Sequence, residues 1–110
     1  MPYYMFQGRY ATQAIKAMVE NPQDREAAAR ALVEAAGGKM HSFFFCFGQE
    51  DVVAILEFPD DTSMTSCALV LGASGAMAGG ATTKLLTAQE AQSAMSASQA
   101  LVASYKPATG

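Results

Sequence analysis

At 110 residues the chain suits one domain, 1–110, with a single modest core. Hydrophobic residues make up 51% and charged ones only 15%, too few to clothe a monomer, so some apolar surface is expected to meet another chain. A formal charge of −3, a pI near 4.9 and seven basic residues scattered from Arg9 to Lys106 argue against nucleic acid, which needs clustered Lys and Arg.

The first residues, MPYYMFQGRY, lack the basic and long apolar regions of a secretory signal. No apolar run approaches the ~20 residues of a membrane helix. The expectation is a soluble cytoplasmic protein without a membrane partner. Cys46 and Cys67 make no disulfide framework and read as reduced thiols. Tyr3–Tyr10, rich in tyrosine, reads as a first strand. Thr12 is the expected N-cap of a helix over Gln13–Glu20, stopped by Asn21-Pro22. Asp24 caps a second helix, Arg25–Ala36, with Ala28, Ala31, Leu32 and Ala35 on one face, and Gly37-Gly38 ends it.

Lys39–Phe58 reads as two apolar strands joined at Gly48-Gln49-Glu50-Asp51, a hairpin apolar enough to need cover on both faces. A two-residue loop at Gln49-Glu50 would set Phe47, Phe45 and Phe43 opposite Val52, Ala54 and Leu56 on one face. Cys46, Phe44 and Ser42 would then oppose Val53, Ile55 and Glu57 on the other. Pro59-Asp60-Asp61 starts a helix over Thr62–Leu71, with Met64, Cys67, Ala68 and Leu71 on one stripe. Residues 72–81, GASGAMAGGA, read as a flexible connector and Thr82–Leu86 as a fourth strand. Thr87 and Glu90 have capping-box spacing before a helix over Ala88–Ser104, and Tyr105–Gly110 is a tail.

The order β-α-β-β-α-β plus a terminal helix is the ferredoxin-like, split βαβ pattern of the α+β class, a four-stranded antiparallel sheet with helices on one face. The face carrying Tyr4 and Phe6 suits the helices. The other, with Gln7, Arg9, Phe44, Val53 and Ile55, would leave several hundred Å² of apolar surface wet, a cost on the order of 10 kcal/mol. A second copy stacked sheet against sheet covers it, giving a dimeric α/β barrel.

These residues resemble a known family. Asn21–Glu26 (NPQDRE), Gly37-Gly38-Lys39, Phe47–Val53 (FGQEDVV), Phe58–Asp61 (FPDD), Leu85–Ala91 (LLTAQEA) and Tyr105-Lys106-Pro107 are similar, in order and spacing, to the GYD domain family. The likeness runs from about Tyr3 to Pro107. It implies a ferredoxin-like, dimeric α/β barrel and brings no established activity. Glu50 stands where the family's Gly-Tyr-Asp has its tyrosine.

His41, the only histidine, shares a parity with Phe43, and its plain reading is a rim residue; as a proton carrier it needs a partner. Glu57, at an otherwise apolar strand position, is either a wet strand end or a carboxylate lining a closed barrel, where it would accept protons or contact ligand. Cys46 reads as an inert thiol facing the inter-sheet space, and Cys67 as packing. One His and two separated Cys supply no metal site, the glycine-rich segment lacks phosphate-loop and dinucleotide context, and no cofactor is implied. The expected binding set is Gln7, Arg9, Ser42, Phe44, Cys46, Ile55 and Glu57, with Glu57 and His41 the catalytic candidates. Three readings follow: a homo-oligomeric module taking up a small apolar or aromatic ligand between sheets, an assembly with that space filled, or a cofactor-free enzyme like the monooxygenases and isomerases of dimeric α/β barrels.

Overall fold

The aromatic-rich first strand, β1 (Tyr3–Tyr10), lies inside the sheet between two neighbours. The structure, a computed structural model, describes residues 1–109. Helices α1 (Thr12–Glu20) and α2 (Arg25–Ala35) lead to the hairpin β2 (Lys39–Phe45) and β3 (Val52–Glu57). Then follow α3 (Asp61–Ala73), β4 (Met77–Leu85), α4 (Ala88–Ser98) and a 3₁₀ segment (Gln99–Ser104). The four strands lie in the order β2-β3-β1-β4, every pair antiparallel. This is the ferredoxin-like arrangement, with the core on the helix side.

Local chemistry sets most boundaries. Asp24 accepts from the Ala27 N–H and Asp60 from the Ser63 N–H, satisfying free donors at the starts of α2 and α3. Gly37 leaves α2 with φ +84°, a conformation that favours glycine. Thr87 and Glu90 close a reciprocal capping box. Thr12 is not a cap: Ala11 takes that place, its own N–H held by the Ala76 carbonyl at 2.7 Å.

Two further expectations are corrected. Residues 77–81 are strand, not connector. β4 pairs with the whole of β1, from Tyr3 opposite Leu85 to Tyr10 opposite Met77. Pairing overrides loop-like composition here, and the glycines have a steric reason, since a Cβ on Gly80 would lie 2.4 Å from the Gln7 carbonyl oxygen. The expected Ala88–Ser104 helix changes character after Ser98, whose hydroxyl donates back to the Ala94 carbonyl, a bond that loosens α-helices.

The core is Tyr4, Val33, Met40, Ala54, Leu56, Phe58, Met64 and Cys67. The Tyr4 hydroxyl donates to Asp61, and Lys84 pairs with the same carboxylate at 3.0 Å. That hydrogen bond and that cation hold Asp61 below the usual carboxylate range, while burial and Asp61 push Tyr4 up to about 12. α4 and the 3₁₀ segment pack mainly on each other and leave Met95, Leu101 and Val102 exposed. The molecule is accordingly 60 Å long, with a radius of gyration of 18.0 Å against ~13 Å for a compact chain of this length.

Candidate functional site

The hairpin register is offset by two residues from the expected one. Phe45 opposes Val52, Phe44 opposes Val53, Phe43 opposes Ala54 and Ser42 opposes Ile55. The loop is Phe47-Gly48-Gln49-Glu50, closed by the Cys46 N–H donating to the Asp51 carbonyl at 2.7 Å. The reason is that the acidic tip belongs to β1. The Asp51 N–H donates to the Gly8 carbonyl, its carboxylate accepts from the Tyr10 N–H, and Glu50 pairs with Arg9 at 3.4 Å. An even shift keeps Ser42 to Phe45 on their expected faces.

The face turned away from the helices is built in rows across β2, β3, β1 and β4. Ser42, Ile55, Met5 and Thr83 form one row; Phe44, Val53, Gln7 and Ala81 form the next. Its middle is apolar, and Phe44 is 64% exposed. Polar groups gather at the two ends. At one end Arg9 lies over Gly79 and pairs with Glu50, which has one buried oxygen without a protein partner among the described residues.

The other end carries the second departure. A β-bulge between Met40 and Ser42 gives β2 one extra residue, His41. Strict alternation places His41 with Phe43 on the helix side. The bulge turns it to the open face, where Nε2 lies 2.8 Å from Glu57 Oε1 and the ring 5.4 Å from that of Tyr3. Arg30 of α2 holds the bulge, donating to the Met40 carbonyl at 3.1 Å while pairing with Glu26 at 2.8 Å. Sequence reasoning named His41 and Glu57 separately; the structure makes them one group. Arg30 was missed because its role depends on a carbonyl that an unbulged strand would not present.

The expected ligand residues share one face but not one pocket. Glu57, Ser42 and Ile55 sit near His41, and Phe44 and Gln7 occupy the middle. Arg9 and Cys46 lie at the far end, six residues along β1 from Tyr3, or roughly 20 Å. Cys67 is buried beneath α3, where desolvation pushes its thiol up and away from reactivity. Among the described residues no three His, Cys, Asp or Glu side chains gather as a metal site. No helix there is long and apolar enough to cross a membrane.

The GYD domain family model matches residues 4–95, nearly the whole of the fold just described. The chain belongs to the GYD domain family. Among solved structures, this GYD domain is similar to the crystal structure of MtbAldR, with a TM-score of 0.53 and 15% sequence identity. The alignment covers 78% of this chain and 52% of MtbAldR, so the GYD domain spans about half that protein's length. At that identity the likeness is one of fold. No curated protein matches.

Proposed function

We propose that this GYD domain is a homodimeric small-molecule-binding module, with two open sheet faces stacked around a space for a small, mostly apolar or aromatic ligand. The observation that carries the reading is the open face itself: Phe44, Val53, Ile55 and Met5 form an apolar surface with the polar His41–Glu57 group at its border. Stacking a second copy removes that surface from water and encloses the polar group. In the enclosed space an imidazole–carboxylate group supplies directional hydrogen bonds in an otherwise apolar lining, the usual pattern of small-molecule sites.

Sedimentation velocity tests the assembly: a dimer at micromolar concentration is expected, and a stable monomer would dismiss the reading. Thermal-shift screening of aromatic metabolites tests the site. Stabilisation by a ligand should weaken in Glu57→Gln, and identical responses in both proteins would remove Glu57 from the site.

The 2.8 Å contact of His41 with Glu57 favours one further reading, a cofactor-free enzyme of the monooxygenase or isomerase kind. The carboxylate orients the imidazole through Nε2 and leaves Nδ1 for a second partner, the arrangement general-base chemistry requires. Deuterium exchange at an acidic C–H of a bound ligand, lost in His41→Gln, is the expected sign. Exchange at an unchanged rate in that variant would refute it.

A further inference from the structure

On the helix side, α2 and α3 do not close fully on the strands. They leave a cavity of about 360 Å³, within the range of small-molecule sites. Its depth is formed by Met40, Leu56, Met64 and Cys67, each at most 4% exposed. Its polar lining residues all come from one end of the layer: Tyr10 ends β1, Arg25 opens α2 and Ser74 follows α3. The Ala11–Ala76 hydrogen bond and the stacking of Tyr10 on Phe45 at 6.1 Å draw that end together.

The polar groups at this mouth differ in what they have left to offer. The Ser74 hydroxyl is committed, donating to the Leu71 carbonyl at 2.6 Å and accepting from the Ala76 N–H at 3.2 Å. Arg25 is the single charged residue lining the space. Its guanidinium donates to the neutral Gln23 amide oxygen at 3.0 Å and, among the described residues, has no carboxylate within ion-pair distance. Arg9, Arg30 and Lys84 all have one. A guanidinium with free donors favours a planar carboxylate, which it binds through two parallel hydrogen bonds.

We propose that the space between α2, α3 and the sheet binds a medium-chain monocarboxylate, its hydrocarbon tail against Met40, Leu56 and Met64 and its carboxylate on Arg25. At the ~30 Å³ one water occupies in the liquid, the cavity takes on the order of a dozen heavy atoms, the size of an eight- to ten-carbon acid. A hydrocarbon tail seated there takes the apolar lining of this open cavity out of water. The site lies on the opposite side of the sheet from the proposed inter-sheet space and does not depend on dimerisation.

The test uses sodium octanoate and 1-octanol with the full chain, read by calorimetry and by amide NMR shifts. Octanoate is expected to shift the amides of Met40, Leu56, Met64 and Cys67 and to raise the melting temperature. Arg25→Gln should weaken octanoate on the order of ten-fold and leave octanol unchanged. Arg25→Lys keeps the charge and should recover part of the loss, which separates charge from packing at the start of α2. Shifts confined to Phe44 and Ile55, no shifts at saturating octanoate, or an octanoate affinity unaffected by Arg25→Gln would overturn the proposal.

Discussion

Under the proposed stacking of two sheet faces, Phe44→Ser should dissociate the proposed dimer while leaving the protomer folded. A phenylalanine side chain carries roughly 200 Å² of surface, and Phe44 is 64% exposed in the protomer, so about 130 Å² waits to be covered. At ~25 cal/mol per Å² that is about 3 kcal/mol for each copy. A twofold interface uses the residue twice, so the substitution costs about 6 kcal/mol, on the order of 10⁴-fold in dissociation constant. Sedimentation velocity over a wide concentration range reads this directly. Urea unfolding of the separated protomer should change little, because Phe44 is not part of the core. An unchanged dissociation constant would refute the sheet-to-sheet arrangement, and a large loss of protomer stability would refute the placement of Phe44 on a free face.

Phe58 is 0% exposed and meets the Tyr4 ring edge-on at 5.9 Å; Phe58→Ala should cost about 3–5 kcal/mol in urea unfolding, a large share of the ~5–15 kcal/mol of a typical domain. Because Tyr4 holds its proton up to about 12 against an ordinary 10.0, its contribution to stability is complete below pH 10 and is lost as pH rises through about 12. Tyr4→Phe should flatten that alkaline loss in denaturant titrations across the window; an identical slope would count against the part-buried Tyr4–Asp61 bond. Thr87→Ala removes the capping box of α4, worth ~1 kcal/mol locally. Since α4 packs little on the sheet, amide exchange in Ala88–Ser98 should accelerate while the global melting temperature stays fixed, and a lowered melting temperature would show α4 to be part of the cooperative core.

Element order, three of the four expected helix N-caps and most strand faces were legible because each rests on local chemistry. Asp24, Asp60 and Thr87 are hydrogen-bond acceptors next to free helical donors, and Gly37 adopts a left-handed conformation. From Ser42 to Phe45 face assignment survived a wrong hairpin register because the error was two residues and side chains repeat every two, while the bulge reversed Met40 and His41. What stayed hidden was set by distant partners. Gly79 and Gly80 look like loop until β1 lies beside them. The outward turn of His41 depends on Arg30 reaching an edge-strand carbonyl. The helix-side cavity depends on how far α2 and α3 stand from the strands, a distance that no residue pattern encodes.

The extra residue in β2 has an unusual relation to its neighbours. Lys39 and Met40 already oppose Glu57 and Leu56, and Ser42 opposes Ile55, so the alternation runs unbroken if His41 is skipped. Removing its codon would therefore let the two flanking segments splice into an ordinary ladder, with no other residue changing sides. Chemistry at this end of the face can be gained or lost through a single insertion or deletion that leaves the ladder on either side in register.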